Sequence, residues 1–203
     1  GILMEEVVAG IVLAGGKSSR FGYPKAFAEK DGLPFYQFTI DAMQPFTDSI
    51  ILVTSNELLT NFREQKMNMK VTTDQQEIAG LGPLACIFSG MDEVNAEWYL
   101  VCPIDVPFIE KQVFDLLLKH RETGSEAIVP IVNGRVEPLI SIFHCSMKDR
   151  IKEQIRLKEY APKQLFTKTH VTYVEILDER PFCNINYQED LEKYNQKGEE
   201  KEC

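Results

Sequence analysis

The 203-residue chain is 44% hydrophobic and 26% charged, enough apolar side chain to bury a sizeable core in one domain. Its formal net charge of −9 excludes a nucleic-acid or anionic-membrane surface, because either needs an extended basic patch. No apolar run is long enough for a membrane span and no basic lead marks a signal peptide, so the protein is expected in the cytoplasm. Gly1, Ile2 and Leu3 precede Met4, which reads as the true start. The five cysteines (Cys86, Cys102, Cys145, Cys183, Cys203) are scattered, lack zinc spacing, and read as reduced thiols.

In chain order, the β-branched apolar run 7–14 predicts a buried strand that ends at Gly15 and Gly16. Helical spacing follows over 35–43 through Phe35, Phe38 and Ala42, closed by Pro45. Next come a strand at 50–53, a helix over 57–66 begun by Asn56, and a short strand at 70–73. A polar loop ending in GLGP at 80–83 leads to a helix over 84–91, with Pro83 near its first turn. A strand at 98–102 and a helix over 112–120 complete a strand-helix alternation that implies a largely parallel sheet covered on both faces. Strands at 127–132 and 136–143 about Asn133 and Gly134 read as a hairpin. Met147, Ile151 and Ile155 stripe one helix face, 171–176 alternates as a late strand, and Tyr187, Leu191 and Tyr194 stripe a final helix. The expected fold is a three-layer α/β/α Rossmann-like domain over 1–195, mostly parallel with some antiparallel edge strand. The charged and polar residues 196–203 form a tail expected to be disordered.

The first strand runs into LAGGKSSRFGYPKA at 13–26. Its glycines allow close backbone approach and its N–H groups can form an anion-binding concavity, while Lys17, Arg20 and Lys25 add mobile positive charge. A polyphosphate needs such local cations in an acidic protein, and each unit pair at about 4 Å is worth on the order of 4 kcal/mol before desolvation. Gly16, Lys17 and Ser18 match a P-loop, but its first glycine is replaced by Ile11, and Gly15, Gly16 and Gly22 have the wrong spacing for a dinucleotide fingerprint.

In open α/β sheets ligands bind outside the carboxyl ends of the strands. The loop after the first strand, Asp74 after the third and Asp105 after the fourth all fall there. Asp105, in CPIDVPFI at 102–109, is set between two prolines and is placed to hold Mg²⁺, which takes one or two carboxylates plus substrate phosphates and water. Asp74 reads equally as an ordinary loop residue. A carboxylate opposite a cationic loop fits phosphoryl or nucleotidyl transfer, where catalysis is mostly positioning and charge neutralisation. His120, His144 and His170 sit in no loop with a candidate Ser or Cys and no GxSxG occurs, so a covalent hydrolase is not expected.

The set LAGGKSSRFGYPKA, GPLA at 82–85, CPIDVPF and FCNINYQEDL at 182–191 resembles the molybdenum cofactor guanylyltransferases, the MobA family, within the nucleotide-diphosphosugar type of nucleotidyltransferases. The resemblance runs almost end to end. It implies that a terminal phosphate of molybdopterin attacks the α-phosphorus of GTP, giving the dinucleotide cofactor and pyrophosphate. It further implies that Leu13, Ala14 and Gly15 contact the guanine and ribose side, that Lys25 meets the phosphates with help from Arg20, and that Asn56 and Asp74 contact the nucleotide. Asp105 matches the Mg²⁺ ligand, so Arg20, Lys25 and Asp105 form the implied catalytic set. Asn184 and Asn186 would face the pterin substrate, although Asn186 with Glu189 also reads as the N-cap and capping box of the last helix. Pro138 and Leu139 match the family's PL beside the acceptor.

Two positions depart from the family. Cys86 stands where GPLAG would end in glycine, and Lys163 stands where an arginine usually precedes the late apolar pair Leu165 and Phe166. The alternatives are a molybdopterin cytidylyltransferase or another NTP:phosphate-acceptor nucleotidyltransferase, against which LAGG in place of LAAG speaks, and a non-catalytic nucleotide-binding partner that delivers cofactor. Implied partners are GTP, molybdopterin, other molybdenum cofactor biosynthesis proteins and the recipient apo-enzymes.

Overall fold

A computed structural model describes residues 6–15, 27–65, 69–75 and 78–185. Lys17, Arg20, Lys25, Asn186, the expected last helix and the 196–203 tail lie outside these residues. The first strand, β1 (Val8–Ala14), is buried at every position, which its unbroken apolar sequence requires of a strand covered on both faces. It pairs in parallel with β4 (Ser49–Thr54) on one side and β6 (Trp98–Pro103) on the other. β5 (Lys70–Thr73) extends the sheet beyond β4, again parallel. Between β1 and β4 a small two-stranded ribbon, β2 (Glu29–Lys30) with β3 (Leu33–Pro34), leads into α1 (Phe35–Met43).

On the other flank the order is β10-β7-β9-β6, with β7 (Ala127–Val132), β9 (Ser141–His144) and β10 (Val171–Ile176). β9 runs antiparallel to both neighbours, and β8 (Arg135–Val136) is a second antiparallel piece appended to β7. The Asn133–Gly134 turn has φ of 50° and 74°, the left-handed pair that a two-residue hairpin loop needs. The second hairpin arm is shorter than expected because it breaks at Pro138, which has no N–H for the ladder. There the Glu137 N–H bonds to Pro130 O and the Ser141 hydroxyl to Pro138 O, so the chain turns before resuming as β9.

Side chains alternate across the sheet into two cores. Val8, Val12, Leu52, Leu100 and Cys102 face α1, α2 (Asn56–Glu64) and α4 (Lys111–Lys119), through Ile40, Met43, Phe62, Phe114 and Leu117. Ala9, Ile11, Leu13, Ile51 and Val101 face α3 (Pro83–Glu93), α5 (Met147–Arg156) and α6 (Pro162–Phe166), through Leu84, Ile87, Met91, Met147, Ile151 and Phe166. That is the expected three-layer α/β/α arrangement. Glycines set the closest approaches: a Cβ on Gly10 would lie 2.8 Å from Met43 of α1, and one on Gly90 of α3 would lie 2.8 Å from Ile11. Among the described residues no helix is long and apolar enough to cross a membrane.

Cys86, Cys102 and Cys145 are free thiols, as expected, whereas Cys183 is disulfide-bonded and corrects the reading of all five as reduced. The far flank is tied by Glu126, whose carboxylate accepts from Ser146 Oγ at 3.0 Å, Arg150 Nε at 3.2 Å and the His170 N–H at 3.3 Å. Burial alone would raise its pKa, but these donors win and hold it below the ordinary 4.5. A depressed carboxylate contributes stability above its unfolded pKa and loses it as pH falls through the folded one. We therefore expect Glu126→Gln to destabilise the protein at pH 7 by about 1–3 kcal/mol, with the gap to the parent closing below about pH 4 in urea unfolding.

Candidate active site

Strand register decides which residues meet at the carboxyl edge of the sheet. Ala14 pairs with Thr54, Thr54 with Thr73, and Leu13 with Pro103. The next residues along each chain therefore emerge in one row: Asp105, Gly15, Ser55 and Asp74, in the order of β6, β1, β4 and β5. Thr54, 1% exposed, fastens the row by donating its hydroxyl to Ala14 O at 2.9 Å.

A cavity of about 320 Å³ opens between the ends of β1, β4 and β5, lined by Gly15, Ser55, Asn56, Asp74, Ala79 and Gly80 among others. Its size falls at the lower end of small-ligand sites. Asn56 opens α2 at the exposed rim. Leu13 and Ala14 are buried below, leaving their backbone to meet a ligand. Asp74 is half-buried, and its Oδ1 is shielded from solvent without a hydrogen-bond partner among the described residues. Such an atom costs about 1–3 kcal/mol unless a ligand or water supplies a donor. The sequence reading named Gly15, Asn56 and Asp74; Ser55, Ala79 and Gly80 escaped it, and GLGP at the end of the polar loop was the available signal.

Cys86, in the first turn of α3, packs beside Gly15: a Cβ added to Gly15 would meet its sulfur at 3.3 Å. Burial first, then the charge of the nearby Asp74 carboxylate, push the thiol well above its ordinary range.

Asp105 lies on the opposite side of Gly15 from the cavity. Its carbonyl accepts the Ile185 N–H at 2.8 Å, which brings the closing FCNI segment and the exposed Asn184 to its side. Glu137 approaches from the β8–β9 break: burial raises its pKa, and Asp105 raises it further through its charge while Arg135 opposes. The sequence reading stopped at the neighbouring Pro138 and Leu139 and missed this second carboxylate. Among the described residues no cluster of three or more His, Cys, Asp or Glu side chains forms. Mg²⁺ takes as few as one or two carboxylates when substrate phosphates and water complete its shell, so the strand-end Asp105 fits that ion. Leu165 and Phe166 are buried in the core and Lys163 is exposed.

Residues 10–172 match the MobA-like NTP transferase domain family. The chain belongs to this family. A relative from Halalkalibacterium halodurans named "Probable molybdenum cofactor guanylyltransferase" is 36% identical over 191 residues, covering 91% of this chain and 96% of that protein. The crystal structure of molybdopterin-guanine dinucleotide biosynthesis protein A from Archaeoglobus fulgidus superposes with a TM-score of 0.76 at 21% identity, covering 93% of this chain and 97% of that one. The 4-diphosphocytidyl-2C-methyl-D-erythritol synthase of Anaerococcus prevotii shares the fold at a TM-score of 0.70 and 16% identity, over 95% of this chain and 98% of its own. The fold is thus shared by proteins whose names differ in the nucleotide.

Thr54→Val removes the donor to Ala14 O while keeping the shape. We expect a loss of about 1–3 kcal/mol in urea unfolding, accompanied by weaker nucleotide binding in equilibrium titration, since Ala14 leads directly into the cavity.

Proposed function

We propose that this protein transfers GMP from GTP to the terminal phosphate of molybdopterin, forming molybdopterin guanine dinucleotide and pyrophosphate, in the cytoplasm and from a single nucleotidyltransferase domain over 1–195. The observation that carries the reading is the cavity of Gly15, Asn56 and Asp74 standing one strand from Asp105, in a chain 36% identical to a relative named for guanylyl transfer.

The nucleoside would occupy the cavity, with Leu13, Ala14 and Gly15 offering backbone and Asn56 and Asp74 offering side chains. The triphosphate would then extend past Gly15 toward Asp105. Arg20 and Lys25, which follow Gly15 in sequence, are assigned to the phosphates, where the chain's net charge of −9 makes local cations necessary. Asp105, with Glu137 beside it, would hold Mg²⁺ at those phosphates. Bound there, the ion supplies charge neutralisation at the phosphoryl oxygens. An oxygen of the acceptor phosphate attacks the α-phosphorus, a new P–O bond forms, the bond to the β-phosphate oxygen breaks, and pyrophosphate leaves. Arg20 and Lys25 offset the charge that develops on the way. Asn184 and Asn186 are assigned to the acceptor, on the Asp105 side of the crevice.

Offered GTP, CTP, ATP and UTP in parallel with molybdopterin and Mg²⁺, the protein should release pyrophosphate fastest from GTP; preference for CTP would replace the guanylyl reading by the cytidylyl one. Asp105→Ala should lower turnover by at least about 10²-fold while the thermal unfolding midpoint stays near that of the parent, because the carboxylate serves the ion and not the core. Unchanged turnover in that variant would remove Asp105 from the reaction.

A further inference from the structure

The reaction as proposed leaves open which side chain tells guanine from the other bases, since Leu13, Ala14 and Gly15 meet a ligand through backbone. Glu57 lines the same cavity, next to Asn56 in the first turn of α2, and is exposed. It has no part in the chemical step.

A base is read by the order of donors and acceptors along its Watson–Crick edge. Guanine alone of the four common bases presents two adjacent donors there, N1–H and the N2 amino group. Adenine and cytosine set a donor beside an acceptor, and uracil holds one N–H between two carbonyls. The protein group that matches guanine must therefore accept twice and donate nothing. An ionised carboxylate has that property.

The other groups around the cavity lack it. Hydroxyls and amides both donate and accept, so Ser55, Thr73 and Asn56 can satisfy any base. Thr54 is 1% exposed and its hydroxyl is engaged with Ala14 O at 2.9 Å. Asp74 is a carboxylate, but its Oδ1 is shielded from solvent, so its two oxygens do not face a ligand together. A backbone carbonyl at Ala79 or Gly80 supplies a single acceptor atom. Among the described residues, Glu57 is the exposed carboxylate of the cavity. The N-terminus of α2 also favours a negative charge, but a role confined to the helix dipole would leave the bases undiscriminated.

We propose that Glu57 is a specificity-determining residue for guanine: its two carboxylate oxygens accept the N1–H and the N2 amino group of GTP. This inference rests on the GTP reading above and adds to it the side chain that selects the base. An amide in place of the carboxylate inverts one half of the match. In Glu57→Gln one acceptor remains, and the new N–H donor opposes the N2 amino group. Xanthine, with N1–H beside a C2 carbonyl, fits that amide instead.

The test is calorimetric titration of the parent and Glu57→Gln with GTP, inosine triphosphate, xanthosine triphosphate and CTP, alongside pyrophosphate release with molybdopterin. Inosine triphosphate lacks the N2 amino group, so the parent should bind it about tenfold more weakly than GTP, the effect of one hydrogen bond to a charged group. Glu57→Gln should lose at least about tenfold in affinity for GTP and gain at least about tenfold for xanthosine triphosphate. A merely structural role would weaken every nucleotide alike. Equal binding of GTP and inosine triphosphate by the parent, or a variant that gains nothing for xanthosine triphosphate, would overturn the inference and leave the GTP reading standing. A parent that selects GTP without releasing pyrophosphate would defeat the GMP-transfer reading, and the titration would still decide the role of Glu57. A parent that binds CTP more tightly than GTP would defeat both. Should Glu57→Gln fail to fold, Glu57→Ala takes its place: it should bind GTP and inosine triphosphate within about twofold of each other, and a retained tenfold preference for GTP would overturn the inference.

Discussion

Parallel pairing on both sides of β1 is the constraint from which the rest of the molecule follows. A strand buried on both faces must satisfy every backbone N–H and C=O within the sheet, and β1 does so against β4 and β6 over almost its whole length. Parallel neighbours end on the same side, so the register that satisfies the backbone also lines up Gly15, Ser55, Asp74 and Asp105. Thr54 adds a side-chain tie at the last rung. No separate device is needed to gather the site, because the pairing that stabilises the sheet gathers it.

The edge is divided by Gly15 into two chemically different halves. Toward β5 there is a cavity whose walls carry amide, hydroxyl and carboxylate groups, beside a chain segment that α3 ties through Ser89 and Asp92 to Gln75. Toward β6 stands Asp105, whose charge adds to the burial that raises the pKa of Glu137. This division suits a reaction that holds a nucleoside at one end and reacts at a phosphorus at the other. Catalysis of that kind depends on positioning and charge more than on a protein nucleophile.

Much of the fold was legible because its strands and helices carry strong local signals. The β-branched run of β1, the 3.6 spacing of α1 and the Asn133–Gly134 turn each point to one structure, and each is found. The break in the second hairpin arm was less legible: 136–143 alternates well enough to read as one strand, and Pro138 interrupts it through a missing donor whose cost depends on the neighbouring strand. The five-residue helix α6 and the place of β9 between β6 and β7 had no local signature. Within the site, Asp105 and Asp74 stood out as carboxylates after apolar strands. Glu137 did not, because its relation to Asp105 is made by a chain reversal some thirty residues downstream.

By itself the sequence determined the elements, the layer arrangement and the chemistry on offer: a glycine-rich cationic segment, strand-end carboxylates, and motifs in the order of the MobA-like family. These are local or compositional properties, set by side-chain periodicity, turn residues and charge. Only the tertiary structure decided which groups touch. That Cys86 packs beside Gly15, that the Asp105 carbonyl meets the Ile185 N–H, and that β9 turns against its neighbours are consequences of strand register and helix packing across the sheet. Those contacts join residues far apart in the chain, and no local preference encodes them.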